Sequence, residues 1–195
     1  MIAHRGLRSY ENIMPFFPVL LRRPNVRGIE FDVHQNSKGQ MVVTHNYVDR
    51  DRLSSDLFRN FPKVYSRAKM VVDIKTFNRE ASYMAHNVVN DLNYIDQPIH
   101  DWHLCSFNER CVHELMSLQR DSSIPFQVGY ITNGFLGVRT DLDIDFVSIH
   151  YKNITKSVLK RYHKKGIKVY AWTVPPSEID RLVEMGVDAI ITDIY

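Results

Sequence analysis

Short apolar runs alternate with amphipathic helical patterns along nearly the whole chain, and this alternation constrains the fold more than any other feature of the sequence. After several of the runs, apolar residues recur every three or four positions, as between Met84 and Leu92. Repeated strand–helix–strand units imply parallel strands joined by crossover helices, which defines the α/β class. The predicted strands are Met1–His4, Gly28–Val33, Met41–His45, Met70–Lys75, Trp102–Phe107, Phe126–Ile131, Asp145–Tyr151, Lys168–Val174 and Asp188–Asp193.

The length and composition predict one globular domain over residues 1–195. Hydrophobic residues make up 44% of the chain and charged residues 24%, which excludes a disordered or collagen-like protein. A net charge of +3 is too small to indicate a nucleic-acid-binding protein. Cys105 and Cys111 are too few for a disulfide framework, and their spacing matches none of the usual paired-cysteine metal sites.

The sequence shows neither a leader pattern nor a membrane-spanning segment. No apolar stretch approaches the roughly 18 residues that a transmembrane helix needs, and these patterns predict a cytoplasmic protein. A basic run between Lys152 and Lys168 follows a helical stripe without a nearby acidic residue. We expect it to form a solvated outer face, with weak contact to an anionic membrane surface as the alternative.

Charged residues interrupt strands that should be almost continuously hydrophobic in a parallel barrel. Glu30 and Asp32 are two positions apart and therefore share one face of a strand, and Asp73 and Lys75 repeat that arrangement. Burying unpaired charge costs several kcal/mol, so such residues are either exposed or partnered. The polar residues at or near predicted strand carboxyl ends, where α/β barrels hold their sites, are His4, Arg5, Glu30, Asp32, His45, Asp73 and Lys75.

The residue types in this set restrict the chemistry that it can perform. Glu30, Asp32 and Asp73 form an oxygen-only cluster, which suits Mg²⁺ or Ca²⁺ better than zinc. Arg5 and Lys75 are cations that can hold a phosphate group. The two histidines titrate near neutrality, so one can accept a proton from a nucleophile while the other donates one to a leaving oxygen. Together these groups indicate cleavage of a phosphoester.

Several short motifs lie in order between residue 1 and residue 193. They are His4-Arg5-Gly6, Glu11-Asn12, Glu30-Phe31-Asp32-Val33, Val42-Val43-Thr44-His45, Asp73-Ile74-Lys75, Val169-Tyr170-Ala171-Trp172-Thr173-Val174 and Gly186-Val187-Asp188-Ala189-Ile190-Ile191-Thr192-Asp193. This ordered series resembles the glycerophosphodiester phosphodiesterase family. The first tripeptide alone would say little, whereas the whole series at these spacings is specific.

The resemblance implies a TIM-type (β/α)8 barrel and hydrolysis of glycerophosphodiesters to glycerol 3-phosphate and an alcohol, dependent on one divalent cation, Mg²⁺ or Ca²⁺. It also implies roles for the matching positions: metal binding by Glu30, Asp32 and Asp73, acid–base catalysis by His4 and His45, and substrate binding by Arg5, Lys75 and Trp172.

The chain departs from the family pattern at four places. Asp73 stands where the family usually has Glu, Asn46 where it has Asp, and Pro175 where it has Asn. Only 24 residues separate His45 from Met70, where the family commonly inserts a small subdomain. We therefore expect a compact barrel in which that subdomain is missing or vestigial.

Three stretches fit the barrel pattern poorly. Nine predicted strands compete for eight places, and the segment after Asp32 is too short for a crossover helix, so a helix-free loop is expected at Asn36–Gln40. The first crossover helix, within Glu11–Leu21, contains two prolines and is expected to be short or broken. An irregular segment over Tyr47–Lys69 is expected to hold one helical turn near Asp56–Asn60.

Two other functions stay open from the sequence. One is a phospholipase-type enzyme of the same superfamily that acts on lysophospholipid or sphingomyelin head groups. The other is a catalytically inactive barrel that binds a phosphodiester or a protein partner. The sequence leaves the alcohol of the substrate and the oligomeric state undetermined.

Overall fold

A computed structural model of the chain describes residues 1–5, 17–45, 57–61, 68–95, 101–134 and 141–193. The strands are β1 (Ile2–Ala3), β2 (Gly28–Gln35), β3 (Met41–Val43), β4 (Lys69–Ile74), β5 (Asp101–Ser106), β6 (Phe126–Thr132), β7 (Phe146–His150), β8 (Lys168–Trp172) and β9 (Ala189–Thr192). The helices are α1 (Phe17–Leu20), α2 (Ala81–Leu92), α3 (Glu109–Asp121), α4 (Lys156–His163) and α5 (Pro176–Met185), with 3₁₀ turns at Phe58–Asn60 and Tyr151–Asn153.

Eight of the strands form a closed parallel barrel. Neighbouring strands pair in the order β1, β2, β4, β5, β6, β7, β8 and β9, and β1 pairs with both β9 and β2, which closes the ring. Helices α2 to α5 each connect two successive parallel strands. The predicted TIM-type (β/α)8 barrel is therefore confirmed.

The ninth strand, β3, lies outside the parallel ring. It pairs antiparallel with the end of β2, from Val33 opposite Val43 to Gln35 opposite Met41. Between them, the Asn36 side chain accepts hydrogen bonds from the backbone N–H groups of residues 38 and 40, at 3.0 and 2.8 Å. Gly39 has a φ of +78°, a conformation that favours glycine. The expected helix-free loop is thus confirmed.

The two segments that were expected to depart from the barrel pattern contain only short helical elements in the described part of the chain. Helix α1 has four residues and includes Pro18, one of the two prolines expected to shorten it. The first part of that predicted helix, residues 11–16, lies outside the described residues. The 3₁₀ turn Phe58–Asn60 confirms the expected helical turn, and Leu57 beside it bridges to Val42 of β3.

The barrel has two apolar layers. The larger lies between the strands and the helices, and a second fills the barrel interior around Phe146 and Tyr170, whose rings stack 4.6 Å apart. Gly129 on β6 makes room for this stack, because a Cβ there would lie 2.3 Å from the Phe146 ring. Among the described residues, none of the helices has the length and apolar character needed to cross a bilayer. The cytoplasmic location stays a prediction.

Candidate active site

Three buried carboxylates meet at the carboxyl end of the barrel. Asp32 on β2 and Asp73 on β4 are direct partners in the strand register, and Glu30 precedes Asp32 by two positions on the same face. Their relative exposures are 8% for Glu30, 4% for Asp32 and 3% for Asp73. One oxygen from each lies within 4.8 Å of the others, so the two strands place the predicted metal ligands together.

Two cations hold these carboxylates. The Lys75 ammonium lies 3.0 Å from Asp32 Oδ1 and also donates to Asp73 Oδ2. The Arg5 backbone N–H donates to Glu30 Oε2 at 3.1 Å, and its guanidinium Nε lies 3.8 Å from Asp32 Oδ2. Arg5 has a φ of +51°, a left-handed conformation that is uncommon outside glycine.

Burial and mutual repulsion shift the protonation of the cluster. Burial raises the pKa of Glu30 well above its ordinary value, and the charges of Asp32 and Asp73 raise it further. Burial also raises the pKa of Asp73 to about 6, although Lys75 beside it acts in the opposite direction. For Lys75, burial acts to lower the pKa, but Asp73 and Asp32 outweigh it, so the pKa lies above its ordinary value. Lys75 therefore stays charged.

The acidic cluster fits a divalent cation. Asp73 Oδ1 is buried and has no hydrogen-bond partner among the described residues, which costs about 1–3 kcal/mol in a folded protein. The donors are all carboxylate oxygens, the set that Mg²⁺ and Ca²⁺ prefer. A cation bound here would satisfy the orphaned oxygen and relieve the repulsion between the three carboxylates. The shorter Asp73 side chain still reaches the cluster.

His4 lies between this cluster and the end of the last strand. Its Nδ1 is 2.8 Å from Asp193 Oδ1, while its Nε2 is 3.9 Å from Glu30 Oε2 and 3.5 Å from Thr173 Oγ1. Burial lowers the pKa of His4, although Asp193 partly opposes the shift. Because a carboxylate only accepts, the neutral ring carries its proton on Nδ1 and leaves the Nε2 lone pair facing the carboxylates.

His45 reaches the site from β3. Its Nε2 contacts the Arg5 guanidinium, and its backbone carbonyl accepts a hydrogen bond from His34 Nε2 at 3.2 Å. A bond from the Thr44 N–H to the Asp32 carbonyl, 3.0 Å long, ties this end of β3 to β2. His45 does not line the cavity described next, and it meets the site through Arg5. Asn46 lies outside the described residues.

A cavity of about 90 Å³ opens among these side chains. Trp172 forms one wall, where its Nε1–H donates to the Ser148 carbonyl at 3.2 Å and its ring meets Phe107 edge-to-face at 5.7 Å. The Lys75 ammonium lies 5.3 Å from the centre of the Phe107 ring. The predicted site residues that line the cavity are His4, Arg5, Glu30, Asp32, Asp73, Lys75 and Trp172.

The structure places three further residues at this site, to which the sequence patterns gave no role: Thr173, Asp193 and Phe107. Thr173 and Asp193 directly follow β8 and β9, and Phe107 directly follows β5. Their position at carboxyl ends of barrel strands is the signal that could have found them.

The closed barrel with buried carboxylates, cations and histidine at its carboxyl end defines a class, the TIM-barrel proteins with a candidate metal-dependent active site. A model of the "Glycerophosphoryl diester phosphodiesterase family" matches residues 133–194. Together with the ordered motifs and the full-length relative described next, this match confirms the resemblance found in the sequence. The chain is therefore similar to the glycerophosphodiester phosphodiesterase family, through this model at its carboxyl-terminal end and through the relatives described next over nearly its whole length.

Relatives resemble the chain over nearly its whole length. A glycerophosphodiester phosphodiesterase of Caldanaerobacter subterraneus subsp. tengcongensis is 23% identical, and the alignment covers 99% of this chain and 93% of the relative. A phosphodiesterase of Oleispira antarctica, solved with the product sn-glycerol-3-phosphate, has a TM-score of 0.75 at 16% identity, over 98% of this chain and 92% of that one. The Thermotoga maritima glycerophosphodiester phosphodiesterase has a TM-score of 0.67 at 19% identity, over 98% and 93%. At these identities the solved structures show a shared fold.

Proposed function

We propose that the chain, as a single domain over residues 1–195, is a divalent-metal-dependent phosphodiesterase that hydrolyses glycerophosphodiesters to glycerol 3-phosphate and an alcohol. The observation that carries this proposal is the convergence of three buried carboxylates, two cations and His4 on one cavity. The similarity to the glycerophosphodiester phosphodiesterase family supports it, as does the glycerol 3-phosphate bound to the Oleispira antarctica phosphodiesterase, which shares the fold.

Glu30, Asp32 and Asp73 would hold the cation. When bound, Mg²⁺ or Ca²⁺ polarises phosphoryl oxygens and orients hydroxyl groups of the substrate. The orphaned Asp73 Oδ1 supports this assignment, because it is a buried acceptor without a donor among the described residues. The presence of Asp73 within the acidic cluster also favours activity over the alternative of an inactive barrel.

Arg5 and Lys75 would bind the phosphate. Arg5 offers a planar fork of donors and Lys75 a compact ammonium, and both line the cavity. In the ligand-free arrangement both cations contact Asp32. A phosphate that entered the cavity would accept hydrogen bonds from these cations in place of Asp32. Trp172 would pack against the apolar part of the glycerol unit, since its ring forms the cavity wall.

The two histidines would move the protons. His4 Nε2 carries a lone pair towards the cavity, so His4 would accept the proton of the attacking hydroxyl as the new P–O bond forms. A free 2-hydroxyl on the glycerol can be that nucleophile, which gives a cyclic phosphate as the alcohol leaves. Water would then add to that phosphate and release glycerol 3-phosphate, with His45 taking the proton of the water and His4 returning its proton to the 2-oxygen. Asp193 would act as a positioning residue, because it accepts the Nδ1–H of His4 at 2.8 Å.

His45 would donate a proton to the departing alcohol. In the ligand-free arrangement, its Nε2 accepts from the Arg5 guanidinium, which can only donate. Movement of Arg5 onto the phosphate would release His45 Nε2 and let it carry the proton that the leaving oxygen needs. This coupling explains how His45 can act without lining the cavity itself.

The decisive experiment measures glycerol 3-phosphate release. Purified protein is incubated with glycerophosphocholine or glycerophosphoethanolamine and Mg²⁺ or Ca²⁺, with and without EDTA. We expect turnover that EDTA abolishes and added cation restores. Asp32→Asn should lose this turnover, whereas Asp180→Asn, an exposed control on α5, should retain it. The proposal would be contradicted if the protein released no glycerol 3-phosphate. It would also be contradicted if the release resisted EDTA and was unchanged in His45→Ala. Turnover of intact lipids alone would favour the phospholipase-type alternative.

A further inference from the structure

Helix α4 presents a basic surface to solvent. The helix buries Leu159 and Tyr162 against the barrel, and its remaining positions are exposed or partly exposed. Residues 146–177 contain seven Lys and Arg residues and no Asp or Glu. We define the basic surface by the exposed side chains of Lys152, Lys156, Lys160, Arg161, Lys164 and Lys168.

Three lysines of the basic surface have no carboxylate partner among the described residues, although His163 pairs with Asp188, and Asp141 and Asp143 line a pocket with Lys165. Within the described part of the chain, Lys156, Lys160 and Lys164 form no ion pair with a carboxylate. The next helix, α5, carries three acidic residues and one arginine, Arg181, which already pairs with Glu178 at 2.6 Å. Positive charge is therefore concentrated on α4 and negative charge on α5. An anionic surface would attract the first helix and repel the second, and this difference would orient the barrel.

A row of aromatic side chains connects the basic surface to the cavity. The Phe107 and Trp172 rings, which line the cavity, lie 5.7 Å apart, and Trp172 meets His150 at 5.1 Å. His150 lies 4.8 Å from Tyr151, and the Lys152 ammonium lies 5.9 Å from the Tyr151 ring. This aromatic row extends from the cavity wall to the first lysine of the basic surface.

The mouth of the barrel also exposes apolar rings. Phe107 is 43% exposed, and Phe77, which follows β4 near Lys75, is 62% exposed. Exposed Phe rings can bury in the boundary between head groups and acyl chains of a bilayer, and lysines near an anionic bilayer each add attraction. Exposed rings at the mouth beside a one-sided basic helix thus combine the two features of a lipid-binding surface.

We propose that the basic surface and the aromatic row dock the barrel on an anionic lipid bilayer, with the cavity mouth beside the lipid head groups. A nucleic acid is the less favoured occupant, because the net charge is only +3 and the acidic α5 adjoins the basic helix. This inference goes beyond the proposed function. Because binding is measured without turnover, its failure is distinct from a failure of the phosphodiesterase activity.

The test is co-sedimentation of the whole chain with lipid vesicles. Vesicles of phosphatidylcholine alone are compared with vesicles of phosphatidylcholine and phosphatidylserine at low and high NaCl. We expect binding only to the anionic vesicles, weakened by salt. The triple variant Lys156→Glu/Lys160→Glu/Lys164→Glu should bind at least about 100-fold more weakly.

A matched control reverses three exposed cations elsewhere, as Arg22→Glu/Lys38→Glu/Arg120→Glu, and changes the net charge equally. It should lose much less binding than the α4 variant, and circular dichroism checks that both variants fold. Equal losses in the two variants would show that only net charge matters and would overturn the proposal. So would binding of wild-type protein to single-stranded DNA but not to anionic vesicles.

The contribution of the mouth is tested separately. Phe77→Ser should weaken vesicle binding several-fold, whereas Val183→Ser, an equally exposed apolar position on α5, should leave it unchanged. If Phe77→Ser binds like wild type while the α4 variant does not, the mouth does not face the lipid and the proposed orientation is wrong.

Discussion

The barrel interior holds two polar clusters, one at each end, and they differ in how well their charges are satisfied. At the amino end, His103 is fully buried and its Nε2 lies 2.7 Å from the Lys69 ammonium and 3.0 Å from Asp101, while Nδ1 lies 3.1 Å from the Tyr170 hydroxyl. Lys69 and Asp101 also pair at 2.9 Å. Each member of this cluster therefore has a partner, and one cation balances one anion.

At the carboxyl end the balance is different. Three carboxylates crowd together, one oxygen of Asp73 has no partner among the described residues, and the pKa values of Glu30 and Asp73 are raised by burial. Strand β4 contributes to both clusters through the same face, with Lys69 at one end and Asp73 at the other. The paired charges of the amino end therefore stabilise the barrel, whereas the crowded carboxylates of the carboxyl end suit a ligand that would neutralise them.

Removal of one carboxylate at the carboxyl end should have the largest effect on activity. Glu30→Gln should lower the rate of glycerol 3-phosphate release at least about 1000-fold, because it removes a metal ligand worth several kcal/mol. In EDTA, its free energy of unfolding should stay the same or rise, since the repulsion is relieved. The matched change at the other end, Asp101→Asn, should lower stability and keep the activity. Full activity in Glu30→Gln would contradict the assignment of the two ends.

Removal of the central residue at the amino end should affect stability instead. His103→Ala should lower the free energy of unfolding by about 3 kcal/mol, because it leaves a cavity and takes a partner from Lys69, Asp101 and Tyr170. Urea unfolding measures this loss, and the rate per folded molecule should stay near wild type. His113→Ala on the exposed face of α3 is the control, expected within about 0.5 kcal/mol of wild type.

In the metal-free protein, the two ends should respond to pH with opposite signs. Burial raises the pKa of Asp73 from 3.8 to about 6, so the folded state retains a proton that the unfolded state loses, and this contribution to stability is lost as the pH rises through that window. Burial lowers the pKa of His103 from 6.5 to about 4, so the unfolded state binds the proton first, and stability is lost as the pH falls through that window.

Unfolding of three proteins in EDTA separates these contributions. The stability of wild type relative to Asp73→Asn should fall by up to about 3 kcal/mol as the pH rises from about 4 to about 6. The stability of wild type relative to His103→Asn should rise over the same range. Excess Mg²⁺ should remove the first dependence, because a bound cation keeps Asp73 ionised. If both relative stabilities changed in the same direction with pH, the predicted difference between the two ends of the barrel would be wrong.

The smallest expected effect on activity comes from substitution of the aspartates that flank β9. Asp193→Asn should lower kcat about tenfold with little change in KM, because His4 loses the acceptor that positions it. The acid limb of the pH profile should move to lower pH, since Asp193 raises the pKa of His4. Asp188 at the opposite end accepts from His163 at 2.8 Å, and Asp188→Asn is the control that should leave the profile unchanged.

Much of the site followed from local patterns. The alternation in Glu30-Phe31-Asp32 places both carboxylates on one face, and the order of the motifs indicated the barrel. Each of these signals lies within a few residues of chain, and strand periodicity acts over that range. The strand order then brought Asp73 beside Asp32, as the register of β2 and β4 shows.

Other features could not be predicted from the sequence because they depend on contacts between distant segments. His4 and Asp193 are 189 positions apart and meet only because β1 and β9 pair to close the barrel. His103 precedes no site motif, and its partner Tyr170 lies 67 positions further along the chain. The amino-end cluster could therefore not be predicted from the sequence, because its members become neighbours only when the strands pair.

Apolar periodicity and residue chemistry are local properties, so the α/β class, the strands and the residues at their carboxyl ends could be inferred from the order of amino acids alone. Three other features arise where distant segments meet: β3 lies outside the ring, Asp73 Oδ1 has no partner among the described residues, and His45 reaches the site through Arg5. These outcomes depend on distances of a few ångströms between chain segments, which barrel closure sets and which no local pattern records.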